Sequence, residues 1–360
     1  VSNNWEEDFK FDEKKWVDTS TKEEEQQKII ERAVYTNDSK EVKGYGFNVG
    51  LTAFEQKGKS LFATLFGYLN SNYFDIMNAK DRYPKTYEML HTGLIPEVEK
   101  VQVIDLDASY ESLSHLGIFG KLVRPLYKDN VIHSATIKIP KRKIDFLNKN
   151  LSEVAMLDID KTKIKIENEI TIATRDNGPE VALVIDSMSS YDELLNDKFR
   201  IIYENVIAKE DERGLGASLK GIRQSYWTIR NGWWIETLRD KRTYRGWQID
   251  TYKIDEKADL WLEKEVNAAI KKGKDPNDIL PYRVQWAPRT KFELDFILQI
   301  DNDGDNYWVD VENRFQGNVP KADRDRAYYE KDSRSAIYQV LEKLAPYILG
   351  ETDKTEEELW

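Results

Sequence analysis

Apolar residues in this chain fall into two recurring spacings, one suited to helices and one to strands. Leu61, Leu65, Tyr68 and Leu69 repeat at helical intervals, with Phe62 and Phe66 beside them, and predict a helix. After Pro96 the pattern changes. The runs Val101 to Leu106 and Val131 to Ile139 read as strands. Lys161 to Thr174 alternates at Ile164, Ile166, Ile170 and Ile172, which predicts a further strand. Val181 to Ile185 is a continuous apolar run, as expected of a strand buried on both faces. Ser190 to Val206 reads as helix, and so does Asp259 to Lys271, with Leu262, Val266, Ala269 and Ile270 on one face. Phe292, Leu294, Phe296, Leu298 and Ile300 alternate without a break. A turn over Asp301 to Asn306 then returns Tyr307 to Val311 as a paired strand. A last helix carries Ile337, Val340, Leu341, Leu344 and Ile348. Together these elements predict an α+β fold with mixed or antiparallel sheets and packed helices.

The 360 residues suggest two domains. Residues 1–43 form a polar arm, 44–207 one α+β domain, 208–220 a charged, glycine-containing linker, 221–350 a second α+β domain, and 351–360 an acidic tail. Trp5, Phe9, Phe11 and Trp16 in the arm suggest that it docks on a neighbouring surface. Hydrophobic residues make up 40% of the chain, which is enough to build a core, while 33% charged residues imply a heavily solvated surface. The formal charge of -11 argues against attraction of the whole surface to nucleic acid or anionic lipid, so any such binding needs a local basic patch. No apolar run approaches the roughly 20 residues of a membrane span. The chain contains no cysteine, which excludes disulfides, thiolate metal sites and thiol chemistry. It starts at Val1 rather than Met, which fits a processed exported protein or a trimmed cytoplasmic or virion protein equally well.

Three segments offer chemistry. The first runs from Ala53 through Phe54, Glu55, Gln56, Lys57, Gly58 and Lys59 to Ser60, immediately before the predicted helix. It resembles the phosphate loop of the P-loop nucleotide-binding family over these eight residues, with Ala53 in place of the first glycine. The resemblance implies that Lys59 reaches terminal phosphates and that Ser60 holds magnesium, with Asp105 as a second acidic motif.

The second is the acidic hairpin from Glu293 to Arg314. Asp301, Asp303, Asp305 and Glu312 stand at positions 1, 3, 5 and 12 of a frame that resembles an EF-hand calcium loop, although strands rather than helices flank it. The same hairpin resembles the core of PD-(D/E)XK nucleases over roughly Lys257 to Leu349. That resemblance implies magnesium on Asp295 and Asp310, with Glu312 where the family carries lysine.

The third is Lys220 to Trp247, a local reversal of charge. Arg230, Arg242 and Arg245 interleave there with Trp233, Trp234, Tyr244 and Trp247. Arginine among large aromatics is the composition of partner-binding hot spots and of surfaces that stack single-stranded nucleic acid. It is equally the composition of a core whose arginines reach out to solvent. No segment supplies a complete catalytic set. The chain therefore reads as a non-enzymatic structural or interaction protein of a larger assembly, such as a virus particle or cell surface, without a resident cofactor. Protein partners or self-association are expected. A metal-dependent nuclease, a calcium-binding module and a P-loop nucleotide binder are the alternatives.

Overall fold

Strands that are apolar along their whole length belong in the middle of a sheet, and two such segments anchor this molecule. In a computed structural model of the chain, β1 (Asn48–Ala53) and β4 (Val181–Asp186) have every residue buried. The structure describes residues 46–55, 57–70, 80–108, 110, 117–140, 153–203, 227–242, 244–273, 275–276, 279, 281–287, 290–302, 307–313, 325–329 and 335–349. The remaining strands are β2 (Lys100–Asp105), β3 (Ile132–Thr136), β5 (Gln248–Glu256), β6 (Tyr282–Val284), β7 (Phe296–Asn302), β8 (Tyr307–Asn313) and β9 (Asp325–Tyr329).

The sheet order is β3-β2-β4-β5-β1-β7-β8-β9, with β6 paired to the end of β5. From β3 to β7 every pairing is parallel, and the pairings of β5 with β6, β7 with β8 and β8 with β9 are antiparallel. The mixed sheet with packed helices is the expected α+β class; its parallel centre is additional to what the strand pattern indicated. A parallel centre needs cover on both faces. One face carries α1 (Lys59–Gly67), α2 (Pro84–His91), α3 (Gly117–Lys128) and α9 (Ser335–Ile348) over a core that includes Phe66, Val123, Trp247 and Leu341. The other carries α4 (Glu153–Arg175), α5 (Met188–Ile202) and α6 (Trp227–Lys241) over Ile166, Leu195, Trp234 and Tyr252. Helix α7 (Asp259–Lys271) follows β5, and a short turn of helix, α8 (Thr290–Glu293), precedes β7.

Two expectations change. The segment from Lys161 to Thr174 lies within the helix α4 and is not a strand. The buried residues of α4, among them Ile159, Ile166, Ile170 and Ala173, follow helical spacing, while Ile164 and Ile172 are exposed. The alternation therefore mixed core positions with surface ones. The expected boundary at 208–220 lies outside the described residues. Strands from both sides of it interleave, because β5 lies between β4 and β1, so residues 44–207 and 221–350 share one sheet. Contacts place Lys43–Trp360 in one unit. The arm with Trp5 and Trp16 and the tail 351–360 lie outside the described residues.

Glycine sets how closely β1 and β5 enter the sheet. The Gly46 N–H donates to the Arg245 carbonyl at 2.8 Å, and a Cβ on Gly46 would stand 2.3 Å from the Gly246 carbonyl carbon. Only a residue without a side chain permits that crossing. The register that follows puts Ala53 opposite Lys253, Ile185 opposite Asp250, and Asp105 opposite Asp186. The carboxyl ends of β1, β2, β4 and β5 therefore line one edge, where open parallel sheets place their ligands.

Candidate functional site

The loop that leaves β1 at this edge is the segment singled out in the sequence. Ala53 is buried at the end of the strand, and α1 begins at Lys59. Gly58 is the N-cap with φ 82°, a left-handed conformation that glycine adopts at little cost. The strand, the loop and the helix N-terminus thus occur in the order that a phosphate cradle needs, with free N–H groups at the helix start.

Ser60 donates a hydrogen bond to Asp186 Oδ2 at 2.5 Å. Asp186 is 1% exposed, and its other oxygen accepts the Thr251 hydroxyl from β5. Asp105, the carboxylate first considered as the acidic partner of the loop, has a different set of contacts. It accepts from the Tyr110 N–H at 3.0 Å and lies 3.5 Å from the Thr136 hydroxyl. Tyr110 in turn reaches the Ser60 carbonyl at 3.2 Å and Thr64 Oγ1 at 2.9 Å. Burial, and then the Asp186 charge, raise the Tyr110 phenol well above its ordinary range, so it stays neutral. Asp105 thereby holds the tyrosine that braces the first turn of α1.

Beside Ser60, burial lowers the Lys59 ammonium from the ordinary lysine range, and Asp186 and Asp107 oppose that shift. Lys253 also contributes to the lowering. Asp107, just beyond β2, pairs with Lys253 at 3.2 Å and accepts from Ser187 and Ser190 at the start of α5. Burial raises the nearby Glu193 carboxyl, Lys253 opposes that, and Asp107 adds to it. Two ammonium groups, two carboxylates and a hydroxyl thus converge on one sheet edge. Ser60 and Asp186 are oxygen donors of the kind that hard cations prefer. No cluster of three or more His, Cys, Asp or Glu residues suited to a metal occurs among the described residues. A magnesium ion here would take its other ligands from phosphate and water, which is its common habit.

The acidic hairpin is less concentrated. Asp295 precedes β7 and accepts from the Asn48 N–H at 3.0 Å, while Asp310 lies in β8 opposite Gln299. Four strand positions separate Asp295 from Gln299, roughly 13 Å along the sheet. The structure therefore does not bring these two carboxylates together as a nuclease pair would require. The Glu312 backbone pairs with Ile297. Asp301 meets Lys57 at 3.5 Å, and Asp303 and Asp305 lie outside the described residues.

Most of the arginine and tryptophan segment is interior. Trp234, Tyr244, Trp247 and Arg230 are buried, Trp233 is half-buried, and Arg242 and Arg245 are exposed. Arg230 is clamped by Asp192 and donates to Asn196 at 2.8 Å. Burial lowers its guanidinium to about 10, opposed by Tyr191. Trp234 and Tyr244 belong to the core under α6, Trp247 lies in the opposite core beside Phe66, and Arg230 is held against α5 by Asp192 and Asn196. A cleft of about 750 Å³ remains between α5, α6 and the segment after β6, lined among others by Asp192, Trp227, Arg239 and Trp286.

Asp107, Asp186 and Lys253 were not among the candidates read from the sequence. The signal for Asp186 was a carboxylate closing an apolar strand; Asp107 and Lys253 carry no comparable mark. No protein-family model matches the chain, and no curated protein matches it.

Proposed function

We propose that this protein is a P-loop nucleoside triphosphatase. The observation that carries the reading is the contact of Ser60, at the start of α1, with Asp186 at the end of a central strand, beside a half-buried Lys59. In this reading the loop N–H groups and Lys59 bind the phosphates, and Ser60 and Asp186 hold a magnesium ion that neutralises phosphate charge. Asp107 orients water for attack on the terminal phosphorus. The bond from the terminal phosphorus to the bridging oxygen breaks, and the nucleoside diphosphate leaves together with inorganic phosphate, which carries the oxygen of the water. We prefer this to a non-enzymatic reading because cations, a hydroxyl and carboxylates share one edge.

The test is magnesium-dependent release of phosphate from ATP or GTP, together with nucleotide uptake in equilibrium dialysis. Wild type should do both and Lys59→Ala neither. Absence of uptake by wild type at millimolar nucleotide sinks the reading.

A macromolecular partner fits the second cleft. Trp227 and Trp286 are half-buried beside the exposed Arg239, a combination suited to an unpaired base and its phosphate. The cleft also connects to the nucleotide edge: Ser189 accepts from the Lys253 N–H and donates to the Gln285 carbonyl, each at 2.8 Å, next to Trp286. We propose single-stranded nucleic acid as this partner. Oligo(dT) should stimulate phosphate release, and Trp286→Ala should remove the stimulation while leaving basal release. Equal stimulation of both proteins would discard the cleft as its site.

A further inference from the structure

The pairing register brings Lys253 to the mouth of the phosphate loop. It stands opposite Ala53, the last residue of β1. Its backbone is held on both sides, with its N–H donating to Ser189 Oγ and its carbonyl accepting from the Gln285 N–H, each at 2.8 Å. Only the side chain is therefore free to change partners. Nζ lies 3.2 Å from Asp107 Oδ1 and 3.4 Å from Ser190 Oγ, and the Lys253 and Asp107 side chains are each 24% exposed. An incoming anion can reach both.

The charges at the edge explain why this pair matters. Lys59 faces Asp186 and Asp107, and Lys253 adds a second ammonium close enough to disfavour the charge on Lys59. Without a ligand, Asp107 compensates Lys253. A diphosphate seated on the loop and Lys59 leaves that pair intact. A third phosphoryl group brings oxygens that compete with Asp107 for the Lys253 ammonium, and they form charge-assisted hydrogen bonds at least as strong.

We infer that Lys253 distinguishes a nucleoside triphosphate from a diphosphate by moving from Asp107 to the terminal phosphoryl group, releasing Asp107 to orient water. Recognition of the third phosphate and arming of the carboxylate are then one event, and the cation that reads the phosphate comes from the same chain. This rests on the P-loop reading above.

The experiment measures dissociation constants for ATP and ADP with magnesium by titration calorimetry, alongside phosphate release. Wild type should prefer ATP, and Lys253→Met should lower ATP affinity roughly tenfold or more, the scale of one charge-assisted hydrogen bond, with ADP affinity within about twofold. Lys253→Arg should restore the preference. An unchanged ATP to ADP ratio in Lys253→Met overturns the inference and leaves the P-loop reading standing. Failure of wild type to bind either nucleotide overturns both. Should Lys253→Met not fold, Asp107→Asn supplies the answer from the other partner. It frees Lys253 in advance, so ATP affinity rises while hydrolysis is lost, and an unchanged ATP affinity overturns the inference.

Discussion

Ser60 and Asp186 lie 126 positions apart in the chain and share a 2.5 Å hydrogen bond at the carboxyl edge of the sheet. The loop after β1 supplies the hydroxyl and the end of β4 supplies the carboxylate, although β5 separates the two strands. Thr251, on that intervening strand, takes the other oxygen of Asp186. Three strands therefore fix the Asp186 carboxylate, which with Ser60 would hold a cation.

Removing either partner should weaken magnesium-dependent nucleotide binding. Ser60→Ala removes one oxygen donor, and the loss should be about tenfold to a hundredfold, the value of one hydrogen bond to a charged group. Asp186→Asn keeps the shape and removes the charge, and it should abolish hydrolysis while magnesium-free binding changes little. Retained hydrolysis in Asp186→Asn would separate this carboxylate from the chemistry.

Lys59 makes a prediction about pH. Its ammonium is disfavoured by burial, so the residue deprotonates below the ordinary lysine range in the empty protein. Phosphate binding needs the charged form and draws the proton back. Nucleotide affinity should therefore fall as pH rises toward the alkaline range, and the midpoint should lie below that of an exposed lysine. The same burial acts on folding with the opposite consequence. A lysine with a lowered folded-state pKa is protonated more readily in the unfolded chain, so near neutral pH the ammonium costs stability that returns as pH rises. Lys59→Met should accordingly raise the melting temperature at neutral pH while eliminating nucleotide binding. A lower melting temperature would assign Lys59 to the support of the fold.

The central strands and the helix after the phosphate loop were legible because each has one clean period. The runs Val101 to Leu106 and Val181 to Ile185 read as strands, and Gly58, Lys59 and Ser60 marked the loop as a candidate for phosphate binding. The order of strands was hidden, because it depends on which crossover passes over which strand. For that reason Asp105, at the end of an apolar run, reads as the acidic partner of the loop, and Asp186 does not enter that reading. The aromatic segment misled for another reason. Trp234 and Trp247 have the composition of a contact surface, but large amphipathic rings serve a core equally well, and only the packing of helices on the two sheet faces, α6 over Trp234 and α1 over Trp247, separates the two uses.

Helix α4 can be tested with a pair of substitutions that the strand reading would treat as equivalent. Ile164 and Ile166 share a face in an alternating strand, yet here Ile164 is 55% exposed and Ile166 is 0% exposed. Ile166→Ala should cost about 2–5 kcal/mol in urea unfolding, as a buried aliphatic truncation does. Ile164→Ala should stay within about 0.5 kcal/mol, as expected of a surface position. Equal losses at the two sites would remove the helical assignment.

The pair formed by Lys241 and Asp250 tests how the second core is held. Both side chains are essentially without solvent contact, at 0% and 1% exposed. Lys241 ends α6, Asp250 lies in the middle of β5, and Gln248 Nε2 donates to the Lys241 carbonyl at 2.9 Å. Tyr252 adds its hydroxyl 3.5 Å from Asp250, and burial followed by the Asp250 charge raises that phenol well above its usual range. No neutral neighbour can replace the ammonium, so Lys241→Met leaves a buried carboxylate without its counter-charge. The expected loss is about 3–5 kcal/mol, against less than about 1 kcal/mol for a pair on the surface. Replacing both residues with apolar ones, Lys241→Met with Asp250→Leu, should recover most of that loss, because desolvation of the two charges offsets much of their attraction. Denaturant midpoints for the two single variants and the double variant decide it. A single-variant loss below 1 kcal/mol would mean that water reaches the pair and that the junction of α6 with β5 is open.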